Sequence, residues 1–126
     1  MIHGIGADIV SIERMRTTLA RHGERFALRL LSSGELDEWR ISHDQARFLA
    51  KRFAAKEAFG KALGIGITPP VTLHAVAVGH DARGKPLLCY DDTLARHMTE
   101  QGLVAHISLS DEQDYVVAFA VIEHGK

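Results

Sequence analysis

The segment from about Asp44 to Leu63 constrains the fold most. It is built from Ala, Leu, Lys, Glu, Arg and Phe, carries no proline, and meets Gly64 where a helix would stop. A long helix is therefore the expected centre of the chain. At ~100° per residue, Ala46, Ala50, Phe53, Glu57 and Lys61 share one of its faces, which sets a carboxylate within a stripe of small residues. Such a stripe lets another segment pack closely, and a carboxylate buried there needs a cation or several donors. The same spacing also allows a plain Glu57–Lys61 ion pair on a solvated face, which contributes only ~0.2–0.5 kcal/mol.

The rest of the chain falls into shorter elements. Ile2 to Asp8 reads as a strand interrupted by Gly4 and Gly6, where close approach of another backbone or a ligand is expected. Ser11 can cap a helix from Ile12 to His22 that stops at Gly23, with Ile12, Met15 and Leu19 as its apolar stripe. Glu24 to Leu31 reads as a further turn or two of helix. Ser32 and Glu35 form a capping box that opens a short helix through Trp39. Beyond a loop over Ile65 to Pro70, Thr72 to Val78 and Lys85 to Tyr90 make a hairpin around the turn Asp81-Ala82-Arg83-Gly84. Asp91 or Asp92 caps a helix closed by Gly102, and Leu103 to Ser110 with Tyr115 to Glu123 form a second hairpin. Helices grouped early and hairpins grouped late predict an α+β fold, a mainly antiparallel sheet packed with the long helix.

At 126 residues the chain fits one domain, residues 1–126, since domains commonly run to ~100–150 residues. A core of that size is modest, and self-association would cover further apolar area. Fifteen Lys+Arg against 16 Asp+Glu leave a net charge of −1, which argues against general nucleic-acid binding. The distribution is uneven, with basic residues crowding the first half and acids the last third. A single cysteine, Cys89, excludes an intrachain disulfide and suits a reducing cytoplasm. The opening Met1 to Gly6 has no basic stretch followed by an apolar run, and no segment approaches the ~20 apolar residues of a membrane span. A cytoplasmic protein without membrane partners is the expectation.

Asp8, at the end of the predicted strand and just before a helix, reads as a turn or cap aspartate or as one of a pair with Glu57. Two carboxylates beside phosphates suit Mg²⁺, and Lys61, one helical turn from Glu57, would face the same phosphates. Alternation along the penultimate strand puts His106, Ser108 and Ser110 on one side and Ala105, Ile107 and Leu109 on the core side. The eight histidines are scattered without zinc-ligand spacing. Arg14, Thr18, Arg21 and Arg25 form a line at helical spacing. On these residues alone a non-catalytic nucleotide-binding module and a Mg²⁺-dependent phosphohydrolase stay open.

The combination is more specific than its parts. Gly4-Ile5-Gly6-Ala7-Asp8-Ile9-Val10, then Arg52-Phe53-Ala54-Ala55-Lys56-Glu57-Ala58-Phe59-Gly60-Lys61-Ala62, then Gly84-Lys85-Pro86 and His106-Ile107-Ser108-Leu109-Ser110, resemble the bacterial holo-acyl-carrier-protein synthases in order and over the whole chain. The resemblance implies transfer of 4′-phosphopantetheine from coenzyme A to a serine of an acidic acyl-carrier protein. It implies Mg²⁺ on Asp8 and Glu57, Lys61 on the coenzyme A phosphates, and Arg52, Gly84, Lys85, Pro86, His106 and Ser108 around the nucleotide. Glu57, directly or through a water, is the implied base. Arg14, Arg21, Arg25 and Arg29 correspond to the family's docking surface for the carrier protein, and the short family type implies a homotrimer with active sites between protomers. Some relatives have histidine where this chain has Asp111, so no role attaches to that residue.

Overall fold

The computed structural model describes residues 1–125. In chain order the elements are β1 (Ile2–Ser11), α1 (Ile12–His22), α2 (Glu24–Leu30), α3 (Ser33–Arg40), α4 (Gln45–Leu63), β2 (Val76–His80), β3 (Pro86–Tyr90), α5 (Asp92–Glu100), β4 (Leu103–Asp111) and β5 (Tyr115–His124). The caps are those the residue types call for. Ser11 accepts from Arg14 N–H, Ser32 and Glu35 close a reciprocal capping box, and Asp91, not Asp92, accepts from Leu94 N–H. Asp44 caps α4, and Gly64, at φ 92°, ends it in the left-handed region that favours glycine.

All strand ladders are antiparallel, in a three-stranded sheet of order β1-β5-β4 and a separate β2-β3 hairpin. The α+β expectation holds, with the hairpin standing as its own small sheet. α4 lies against the inner face of the larger sheet, where Val116, Ala118, Ala120 and Ile122 of β5 are fully buried. Leu49 and Phe59 of α4 are also fully buried, and burying side chains of this size stabilises by about 1.5–3 kcal/mol each.

Small residues set the distance between β1 and α4. A Cβ on Gly4 would collide with the Ala62 carbonyl, and one on Gly6 with the Ala58 carbonyl. Close approach of another backbone is therefore what these glycines permit. The contact runs through Ala58 and Ala62, the stripe next to the one expected. Along the expected stripe, Ala46 and Ala50 are buried, but Phe53 and Glu57 are half-buried and Lys61 is exposed, so this face emerges from the core at the edge of β1.

Two boundaries differ from expectation. β1 continues through Ile9 and Val10 to Ser11, because β5 pairs with it as far as Ser11–Tyr115. Residues 72–75 form a turn and not the start of a strand. The Thr72 hydroxyl accepts from Ala75 N–H, and the Leu73 carbonyl is turned toward Lys56. β2 therefore begins at Val76.

Candidate active site

The β1–α4 contact assembles the site. Asp8 pairs in register with Ala118, whose side chain is fully buried, so Asp8 faces inward toward α4 and is neither a cap nor a turn residue. Lys61 Nζ donates to Asp8 Oδ1 at 3.0 Å and to the Ala7 carbonyl at 3.0 Å. No Glu57–Lys61 salt bridge forms among the described residues. Burial pushes the Glu57 carboxyl above the usual glutamate range, the Asp8 charge pushes it the same way, and Lys61 opposes them. Asp8 and Glu57 thus lie close enough for their charges to oppose each other, and the ammonium beside them is engaged by Asp8. No third His, Cys, Asp or Glu joins them as a metal cluster among the described residues.

A groove of about 300 Å³ leads away from Asp8 along α1, lined by Arg14, Met15, Thr18, Phe26 and Phe53 among others. It shares Thr18 and Phe26 with a second hollow of about 270 Å³ that His22, Arg25 and Arg29 complete. Arg14, Arg21, Arg25 and Arg29 are all exposed, and none makes a salt bridge among the described residues. Arg14, Thr18 and Arg25 of the line read from helical spacing thus border these two adjoining hollows, whereas Arg21 lines neither. Arg16 is the exception on α1, paired with Glu13 and Asp44.

On the other side of α4, a cavity of about 300 Å³ is lined by Glu38, His43, Arg47, Lys51, Arg52 and His80, among others. Arg52 is nearly buried there, its guanidinium 4.2 Å above the Phe48 ring. The hairpin reaches the cavity through His80, whose register partner is Pro86. Gly84, at φ 85°, turns the chain, and Asp81 accepts from the backbone N–H groups of Arg83 and Lys85. Lys85 itself is exposed and is not among the residues lining the cavity.

His106 and Ser108 lie elsewhere. They pair with Val121 and Phe119 on the outer face of the sheet, away from α4, so one chain alone does not bring them to Arg52 or Asp8. His106 Nε2 sits 2.6 Å from Glu123 Oε2. The same outer face exposes Ile5, Ile9, Tyr115, Val117 and Phe119, each more than 40% accessible.

Sequence reasoning passed over several residues. Arg47 binds Asp44, Asp111 and the carbonyls of Glu112 and Gln113, clamping the β4–β5 turn onto the start of α4. Lys51 is 3.3 Å from Asp111. Lys56 is fully buried beside Glu35. Its helical spacing from Arg52, four residues, was the available signal.

Comparison with known proteins agrees with this architecture. The profile described as the 4′-phosphopantetheinyl transferase superfamily matches residues 4–120. A protein of Azoarcus sp. (strain BH72) named holo-[acyl-carrier-protein] synthase is 68% identical over 123 residues, 98% of each chain. The crystal structure of holo-[acyl-carrier-protein] synthase from Neisseria meningitidis superposes with a TM-score of 0.94 at 46% identity, covering 98% of this chain and 99% of that one. The Bacillus anthracis holo-(acyl-carrier-protein) synthase, solved in complex with CoA (3′,5′-ADP), gives a TM-score of 0.83 at 33% identity over 99% of both chains. The chain belongs to the holo-[acyl-carrier-protein] synthases of the 4′-phosphopantetheinyl transferase superfamily.

Proposed function

We propose that this chain transfers the 4′-phosphopantetheine group from coenzyme A to a serine of apo-acyl-carrier protein, releasing adenosine 3′,5′-bisphosphate, as its relatives' names describe. The observation that carries the reading is the meeting of Asp8, Glu57 and Lys61 where β1 crosses α4.

The donor set fits Mg²⁺, which takes a few carboxylate oxygens and fills its shell with water and phosphate oxygens. Asp8 and Glu57 are two such carboxylates; burial first and then the Asp8 charge raise the Glu57 pKa, and a cation would oppose both. When bound, Mg²⁺ supplies positive charge to the pyrophosphate oxygens. Lys61 leans on Asp8 and is half exposed, so it can shift to the oxygen that gains charge as the leaving group departs. The serine oxygen forms the new bond to phosphorus, and the phosphorus–oxygen bond to the adenosine bisphosphate breaks. Glu57, directly or through a water, takes the serine proton. Phosphoryl transfer leaves little covalent work, and placement with charge neutralisation dominates.

The cavity with Arg47, Lys51 and Arg52 suits the nucleotide, and the hairpin turn with Gly84, Lys85 and Pro86 would approach the ligand from the His80 end. The unpaired arginines Arg14, Arg21, Arg25 and Arg29 suit an acidic carrier protein, and the groove from them ends at Asp8, where the serine must arrive. The exposed apolar face of the sheet is large for a surface in water. Covering it with further copies in a homotrimer would carry His106 and Ser108 toward a neighbour's nucleotide site. All buried apolar residues form one core cluster, which supports a single transferase domain. The lone free Cys89 suits a cytoplasmic setting.

Mass spectrometry of apo-carrier protein incubated with the chain, coenzyme A and Mg²⁺ tests the reading. A phosphopantetheine adduct on one serine is expected. Release of phosphate without carrier protein would replace it with a phosphohydrolase.

A further inference from the structure

The segment that carries Glu57 also carries a lysine with no ligand-facing role. Lys56 is wholly buried, and its ammonium is within 2.7 Å of the Leu30 carbonyl, 2.7 Å of Glu35 Oε1 and 2.6 Å of the Leu73 carbonyl. A lysine has three N–H donors, and all three are engaged inside the protein. It joins the end of α2, the start of α3 and the turn before β2 to α4. Burial pushes its pKa below the usual lysine range, and the Glu35 charge opposes that.

Glu35 is the common partner. It is 3% exposed and its carboxylate is fully used. Oε1 accepts from Ser32 N–H at 3.0 Å and from Lys56, and Oε2 accepts from Val78 N–H at 2.9 Å. Arg52 Nε lies 3.3 Å from Oε2. That approach is an ion pair without hydrogen-bond geometry, because Arg52 Nε has no hydrogen-bond partner although it is buried. The guanidinium is held by charge from Glu35, by the face of Phe48 and by a 3.4 Å contact to Glu38. It borders a cavity that His43, Arg47, Lys51 and His80 line together with the carboxylates of Glu38 and Asp44.

We propose that Glu35 is a positioning residue for the transfer: its two oxygens hold Arg52 toward coenzyme A and lock, through Lys56, the turn of α4 that presents Glu57. This rests on the reading of the site given above. A buried carboxylate bridging two cations on successive turns of one helix fixes that helix in rotation and along its axis. It therefore sets the two ends of the site relative to each other. Without it, the buried guanidinium would keep only the exposed Glu38 carboxylate as an anionic contact.

The test is calorimetric titration of coenzyme A into the Mg²⁺-supplied protein, paired with steady-state kinetics for carrier protein. The variants are Glu35→Gln, and Glu35→Gln with Lys56→Met, which removes both charges so that neither is left buried alone. Thermal unfolding identifies the variants that fold, and Arg52→Lys is measured in each background. The expected result is a coenzyme A dissociation constant raised about tenfold or more, with KM for carrier protein within about twofold. Arg52→Lys then weakens coenzyme A binding in the wild-type background and adds little beside Glu35→Gln. Independent, additive losses, or equal losses for both substrates, would overturn the proposal, since a purely structural role predicts them. Wild-type coenzyme A affinity in the double variant would overturn it as well. Failure of the wild-type protein to bind coenzyme A would remove the underlying reading instead.

Discussion

Lys61 on α4 donates to Asp8 on β1 across 3.0 Å and leaves Glu57, its neighbour one helical turn back, without a salt bridge among the described residues. An ammonium bound to the strand acid can be given up when phosphates enter. Lys61→Ala should therefore lower turnover by about 10²-fold, the scale of losing one donor to a developing negative charge, while the protein still folds. Single-turnover kinetics with thermal unfolding check this. An unchanged rate would remove Lys61 from that role.

Arg14, Arg21, Arg25 and Arg29 face solvent without a salt bridge among the described residues, so their charge is available to a partner. Reversing Arg14 and Arg21 to Glu should raise KM for carrier protein by at least tenfold and leave coenzyme A affinity nearly intact. Exposed charges are screened over ~10 Å at 0.1 M salt, so KM for carrier protein should also climb with ionic strength in the wild type and less so in the variant. Steady-state kinetics across a salt series measures both.

Gly6 lies where β1 and α4 touch, and a Cβ there would meet the Ala58 carbonyl, the Ala62 nitrogen and Lys61 Cβ. None of the backbone atoms can yield without moving the helix. Gly6→Ala should cost about 1–3 kcal/mol of stability, the usual range for overpacking a tight contact, and should reduce transfer even in the folded fraction because Asp8 moves away from α4. Denaturant unfolding and activity per folded molecule report the two effects separately. Wild-type values for both would show that the close approach is not required.

Acid should open the β4–β5 turn before the sheet. Burial works against the Asp44 and Asp111 carboxylates, but Arg47, with Lys51 at Asp111, holds both below the usual aspartate range. A folded-state pKa below the unfolded one gives stability that is present above the unfolded value of ~3.9 and lost as pH falls through the lower folded value. Arg47→Leu should reduce that part of the acid dependence below pH ~4, leaving what the backbone N–H of residue 47, Arg16 and Lys51 still hold, and should lower stability at neutral pH. Unfolding midpoints between acidic and neutral pH in the two proteins are the check.

Much of this architecture was legible in local chemistry. Ser11, Ser32, Asp44, Gly23 and Gly64 announce helix ends through the groups they leave or satisfy, and each acts as its residue type suggests. The alternation of β4 sorted His106 and Ser108 from Ile107 correctly. What escaped was set by tertiary contacts. Thr72 to Ala75 is β-branched and apolar enough for a strand, but the Thr72 hydroxyl and the pull of Lys56 on Leu73 bend it into a turn. β1 runs past Asp8 because β5 pairs with it further along, which no residue near Asp8 signals. The glycines pointed to a close approach, while the choice of Ala58 and Ala62 as its partner depends on the rotation of α4. Glu35 looked complete as a capping residue, and its service to Lys56, Arg52 and Val78 is visible only once three segments converge on it.

The proposed transfer requires Asp8 and Glu57 to share one divalent cation. Electron paramagnetic resonance of Mn²⁺, titrated with coenzyme A into the wild-type protein and into Asp8→Asn and Glu57→Gln, tests this directly. One bound ion is expected in the wild type, with its affinity falling sharply in both variants while each keeps its fold. Undiminished Mn²⁺ binding in either variant would contradict it.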